Sequence, residues 1–212
     1  MAETTRKSFA RELEELDAEI LCAAALVVEA MAATAEAVAT GDHELARGVS
    51  DRHARIDLAT RECEARAYEV LARQQPAAGD LRFVLTVVRL SHELERSAKL
   101  VKHVADFAAR PHGSLPPRVA ALVARMAEEA CRLLQGAVDA YAERDVDRAE
   151  ALDVWDDRTD ELHRQLLSEL FTSRQSLATT IALVLVGRYL ERIADHAVLM
   201  GDRVRYLVRG EL

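Results

Sequence analysis

Helix breakers are rare in this 212-residue chain, and most of its 8 Gly and 4 Pro fall at the seams between long amphipathic stretches. Such a pattern leaves little room for strands or tight hairpins and predicts long helices. Gly41-Asp42 separates a first helix (about 4 to 40) from a second (about 43 to 73). The stretch from Gln75-Pro76 to Gly79-Asp80 separates the second from a third. Residues 110–117, RPHGSLPP, read as the one true linker. Beyond it a fourth helix runs to about 142, a fifth from about 145 to 171 and a sixth from about 177 to 208. Half of the residues are apolar while 4% are aromatic, so the core is built of Ala, Leu and Val, as close-packed helices require. The expected fold class is all-α.

The six segments repeat as two sets of three. ATGDHELARGVSDRHARID (39–57) aligns with AERDVDRAEALDVWDDRTD (142–160) at an offset of 103, matching Asp42 to Asp145 and Asp57 to Asp160. Further on, LERSAK (94–99) aligns with LERIAD (190–195) at an offset of 96. The difference of seven is expected in the first turn, where QQPAAGD is the longer connection. A period near a hundred residues is too long for a solenoid unit and suits a duplicated three-helix bundle. The expected organisation is a first bundle over residues 1–110, a linker over 111–117 and a second bundle over 118–212, giving two tandem pseudo-symmetric three-helix bundles.

A net charge of −8 and a pI near 5.4 argue against a nucleic-acid surface, which needs clustered positive charge. The N-terminal stretch MAETTRKSFARELEELDAEI has no apolar run behind its basic residues, so neither a signal peptide nor an anchor is expected there. No uninterrupted apolar run reaches the ~18 to 20 residues of a spanning helix, and a soluble, cytoplasmic protein is expected. Cys22, Cys63 and Cys131 are isolated and read as buried free thiols.

Acids gather on two helices. At about 100° per residue, Asp156, Asp157 and Asp160 share an arc with Asp153 on the fifth helix, and Glu191, Asp195 and Asp202 share one on the sixth. Each arc opposes an apolar stripe, which on the sixth helix comprises Val186, Ile193, Ala197, Met200, Val204 and Leu207. Counted from a turn near residue 174, the two acidic stripes come level in an antiparallel hairpin. Asp153, Asp156, Asp160, Glu191 and Asp195 are therefore the candidate metal ligands. Solvated acidic faces explain scattered carboxylates equally well, but like charges at i,i+4 destabilise a helix unless a cation intervenes. Oxygen donors suit Mg, Mn, Ca or Fe ions in hard oxidation states. In the first half the corresponding positions are His53, Asp57, Glu95 and Lys99. A lysine level with Asp57 and beside Glu95 supplies its own positive charge. The second repeat is thus expected to recruit a cation and the first to do without.

The duplicated D-x-x-x-D helix followed by LERIADHA resembles the PhoU family of phosphate-signalling regulators. QQPAAGDLRFVLTVVRLSHELER, RDVDRAEALDVWDDRTDELHRQL and RYLERIADHAVLMGDRVRYLVRGE carry the likeness over most of the chain. The resemblance implies six helices in two symmetric bundles and a non-enzymatic, cytoplasmic negative regulator of phosphate uptake and starvation signalling. It implies contact with the ATPase subunit of a phosphate ABC transporter and with a sensor histidine kinase. Association with the membrane would come through these partners, nucleic acid would play no part, and a homodimer stays open. It also implies clustered metals on E(D)xxxD motifs, here Asp156, Asp160, Glu191 and Asp195. The family's Asn after the last motif is Leu199 in this chain.

A rival reading is a ferritin-like di-iron carboxylate protein. Such a site needs two inward Glu-x-x-His motifs and two more Glu, and Asp160 to His163 comes near once, with Asp. His163 reads as a helix-face residue. His196, next to Asp195, reads as a further ligand or a cap on the groove. Arg203, Arg205 and Arg209 suit the end of a helix dipole. Ser91, Arg96 and Arg192 read as surface pairs. With no nucleophile and base at a common site and no phosphate-cradling loop, catalysis is not expected.

Overall fold

The computed structural model describes residues 2–111 and 115–210; His112, Gly113 and Ser114 of the expected linker lie outside the described residues. Six helices follow in order: α1 (Ala2–Thr40), α2 (His43–Gln74), α3 (Ala78–Ala108), α4 (Pro117–Glu143), α5 (Val146–Thr172) and α6 (Leu177–Arg209). There is no strand among the described residues.

Local chemistry sets most of the helix ends. Asp42 caps α2 by accepting from the Glu44 and Leu45 amides at 3.0 and 2.9 Å. Its repeat partner Asp145 caps α5 by accepting from the Arg148 amide at 2.9 Å. This pair of matched acids therefore serves capping, at about 0.5–2 kcal/mol each, rather than a ligand. Ser176 caps α6 in the same way through the Thr179 amide at 3.1 Å. Gln75 and Arg144 end α2 and α4 in the left-handed region, at φ 47° and 56°. Pro116-Pro117 opens α4 where a missing amide hydrogen does no harm.

The seven-residue difference between the repeats lies in the helices, not in the turn as the sequence suggested. At offset 103 the end of α5 corresponds to Glu69, so α2 runs five residues further. At offset 96 the start of α6 corresponds to Leu81, so α3 begins three residues earlier. The first hairpin is about one helical turn taller, and its turn, residues 75–77, is no longer than the second, residues 173–176.

Within each repeat every helix packs on the other two, and α3 packs on α6 while α1 packs on α4 across the repeats. Among the described residues α2 and α5 touch only their own repeat, so they flank a central ring of α1, α3, α6 and α4. The cross-repeat pairs are antiparallel. Ser97 meets His196 at 3.1 Å and His103 meets Tyr189 with ring centroids 5.3 Å apart, rising on one helix as the other descends. One apolar core runs through all six helices, from Leu16, Ile20 and Val27 on α1 to Ile193, Met200 and Val204 on α6.

Helix α1 is apolar on average although no uninterrupted apolar run spans it. From Lys7 to Thr40 it is long and apolar enough, at a mean hydropathy of 1.8 over its richest window, to pass for a membrane span. Glu29 and Glu36 interrupt the run without lowering its average enough. Its contacts with α2, α3 and α4 account for part of the composition, 39% of that window being buried.

Tyr141 ties α4 back to α1: its hydroxyl donates to Asp17 at 2.6 Å, and Arg144 donates to the same carboxylate at 2.8 Å. Tyr141 is 2% exposed. Tyr141→Phe should lower stability by about 1.5–3 kcal/mol, read by thermal melting. An unchanged melting temperature would show that this junction carries no load.

Candidate metal centre

Of the five acids named from the sequence, Asp156 and Asp160 on α5 lie within electrostatic reach of Glu191 and Asp195 on α6, while Asp153 interacts with Asp156 along its own helix. Asp153 and Asp160 are exposed, while Asp156, Glu191 and Asp195 are half-buried. Burial, followed by the charges of Asp160, Asp195, Glu191 and Asp153, pushes the Asp156 carboxyl up to about 7. Glu191 is also held above its ordinary range, first by burial and then by Asp195, with Arg188 opposing. Asp195 is raised by burial and by Asp160 against the pull of Arg188 and Arg192. Asp156 Oδ1 and Glu191 Oε2 are buried and lack a hydrogen-bond partner.

Arg188, not singled out from the sequence, forms an ion pair with Glu191. It supplies part of the charge a cation would bring. Among the described residues no three His, Cys, Asp or Glu side chains converge closely enough to hold a metal ion as placed. The donors still suit a hard cation: the five acids offer oxygen ligands only, and two of those oxygens are orphaned. Closing a shell requires Glu191 to leave Arg188 and the exposed Asp153 and Asp160 to draw in beside Asp156.

The first repeat is neutralised differently from the expectation. Lys99 Nζ does reach Glu95, at 2.7 Å, and this contact holds the Glu95 carboxyl below its usual range. Asp57, however, pairs with Arg61 at 3.3 Å rather than with Lys99, and Arg61 also reaches Glu95 at 3.5 Å. The second repeat has an arginine at the same place, Arg164, but it pairs with Glu161 at 2.6 Å. Where the second repeat has Glu161 the first has Leu58, so Arg61 is free to serve the groove. A guanidinium at i+4 from Asp57 was visible in the sequence and was the missed signal.

Several single residues are placed differently from their sequence reading. His196 is 2% exposed and lies in the α3/α6 interface, where burial lowers its imidazole to about 4. It neither joins the acids nor caps their groove. His163 is half-buried, and its ring lies 3.2 Å from where a Cβ on Gly187 would sit. Ser91 is buried, not on the surface, and Cys22 is exposed while Cys63 is buried. Arg205 and Arg209 are taken up by Asp202 and Glu150, at 3.3 and 2.5 Å.

The family profile described as the PhoU domain matches residues 20–108 and again 123–204. The chain belongs to the PhoU family. The two matched stretches correspond to the two repeats. Curated relatives named phosphate-specific transport system accessory protein PhoU homolog 1 are similar over nearly the whole chain. That of Mycobacterium tuberculosis H37Rv is 34% identical over 211 residues, 98% of this chain and 96% of its own. That of Mycobacterium leprae is 32% identical over 209 residues, 97% of this chain and 94% of its own. The crystal structure of PhoU from Pseudomonas aeruginosa superposes with a TM-score of 0.90 at 29% identity, covering 96% of this chain and all of that one. PhoU from Streptococcus pneumoniae shares the fold, with a TM-score of 0.84 at 23% identity. The ferritin-like alternative finds no support in these relatives. Its one near-motif starts at Asp160, which is exposed rather than turned into the bundle.

Proposed function

We propose that this chain is a cytoplasmic, non-catalytic negative regulator of phosphate uptake and phosphate-starvation signalling. It acts by contacting the ATPase subunit of the phosphate ABC transporter and a sensor histidine kinase, and it reaches the membrane through them. One observation carries this reading: the chain matches phosphate-transport accessory proteins end to end, at 97–98% of its length in the two mycobacterial relatives. On the second repeat, Asp153, Asp156, Asp160, Glu191 and Asp195 hold a hard cation, which offsets the burial and the mutual repulsion that together raise Asp156. The first repeat takes none, because Lys99 and Arg61 already fill that role.

Deletion in the source organism tests the regulatory reading. A phosphate-starvation promoter should become active in phosphate-replete medium, and tagged protein should retain the transporter ATPase and the kinase from detergent-solubilised membranes. A silent promoter together with failure to retain either partner would refute it. Iron-dependent oxidase activity of the pure protein would return the ferritin-like reading.

A further inference from the structure

Twelve large apolar side chains are exposed among the described residues, and six of them form three repeat-equivalent pairs. Tyr68 (54% exposed) corresponds to Phe171 (91%), Leu81 (37%) to Leu177 (76%), and Leu85 (37%) to Ile181 (52%). They lie on the distal turns of the two hairpins, α2/α3 and α5/α6. The repeats have diverged at the groove, where Asp156 faces His53 in the alignment and Asp195 faces Lys99. Exposed apolar clusters oppose solubility, so their retention in duplicate points to use.

The two patches sit at opposite ends of the molecule. Because α3 and α6 run antiparallel, the start of α3 lies beside the end of α6, with Arg82 3.4 Å from the Cβ position of Gly210. Helices of 31 and 33 residues put the ends on the order of 50 Å apart at ~1.5 Å per residue. The first triad offers roughly 250 Å² of exposed side-chain surface and the second about 400 Å², each half or less of the ~800 Å² per partner that a standard stable interface buries. One end alone is too small, and only both together approach that size. Tip-to-tip pairing of this chain with itself would not close and would propagate as a fibre, so a second copy is a poor occupant.

We propose that the hairpin ends are twin anchors for one two-fold symmetric protein dimer carrying an apolar pocket on each subunit. The pseudo-symmetry of the chain matches the true symmetry of such a partner. Arg89, one turn beyond Leu85, and Arg174, between Phe171 and Leu177, stand where the other repeat has Leu185 and Leu71, so neither belongs to the recognition shared by the two ends. Glu69 and Asp80 border the first triad too, so apolar contact carries the recognition there. The proposal rests on the accessory reading above, with the dimeric transporter ATPase as the probe.

The test titrates fluorescently labelled protein with purified ATPase dimer. It compares wild type, the Leu81→Asp/Leu85→Asp variant, the Phe171→Asp/Leu177→Asp variant and the four-fold variant, each checked for an unchanged helical spectrum. Wild type should bind as one chain per ATPase dimer. Either two-fold variant should lose roughly 100-fold in affinity through lost bivalency, and the four-fold variant should not bind. Wild-type affinity in the variants would overturn the proposal, as would two chains per dimer or sensitivity at one end only. Variants that lose binding to phosphatidylglycerol vesicles but keep the ATPase would assign the ends to a lipid surface instead. A wild-type protein that does not bind the ATPase would remove the accessory reading, and this proposal with it.

Discussion

Asp156→Asn should stabilise the metal-free protein at pH 8 and do almost nothing at pH 4. The carboxyl of Asp156 is raised from 3.8 to about 7 by burial and by four neighbouring acids. A carboxylate whose pKa is raised on folding makes the folded state lose stability as pH climbs from about 4 through 7, with the full penalty above 7. Asparagine keeps the shape and removes the charge. A shift of that size, discounted for the partial exposure of the site, corresponds to about 1–2 kcal/mol. For a chain of this length that is roughly 3–6 °C in melting temperature, measured after chelator treatment. Saturating Mn²⁺ should reverse the order, because wild type gains binding energy that the variant has lost. Equal melting temperatures at pH 8 would mean that the cluster is solvated and relaxed.

Gly201→Ala should destabilise strongly where Gly136→Ala does not. A Cβ at Gly201 would lie 2.9 Å from the Ala149 carbonyl oxygen and 2.9 Å from Leu152 Cδ1, so α6 meets the backbone of α5 there. Backbone cannot turn aside, and α5 would have to move as a body. At Gly136 the nearest atoms, Leu152 Cδ2 and Trp155 Cζ3, both at 3.2 Å, belong to side chains that can yield. Overpacking should cost about 2 kcal/mol at Gly201 after the ~1 kcal/mol that alanine gains in helix propensity, lowering the melting temperature by roughly 5 °C. At Gly136 the two effects should nearly cancel. Because the acids ride on the same two helices, Gly201→Ala should also weaken cation binding. Identical melts for the two variants would contradict the close α5/α6 approach.

The six helices were legible because their seams carry strong local signals: Asp42 and Asp145 as caps, Pro116-Pro117 as an opener, and Gly41 at a positive φ of 72°. The gathering of acids was legible for a related reason. Helical periodicity fixes angles within an element, and a short turn fixes which residues come level. Periodicity does not say how many neighbours a helix has. Helix α6 is wrapped by α3, α4 and α5, so His196, about 140° from Glu191 on the wheel and at the edge of the apolar stripe, is buried against Ser97. The apolar richness of α1 has in part the same origin. Ion-pair choice was legible in part. Lys99 with Glu95 is an i,i+4 pair, but Arg61 and Arg164 stand at equivalent positions and choose differently because Leu58 offers no carboxylate where Glu161 does. That choice depends on side-chain conformation and competition, which spacing alone does not rank.

The asymmetry between the repeats is tested most directly by metal analysis of protein purified without chelator. Wild type is expected to carry Mn or Fe, with Asp156→Ala and Glu191→Ala variants bare and the Asp57→Ala and Glu95→Ala variants unchanged. Metal that survives both second-repeat substitutions, or that disappears with the first-repeat ones, would contradict the assignment of the cation to the second half.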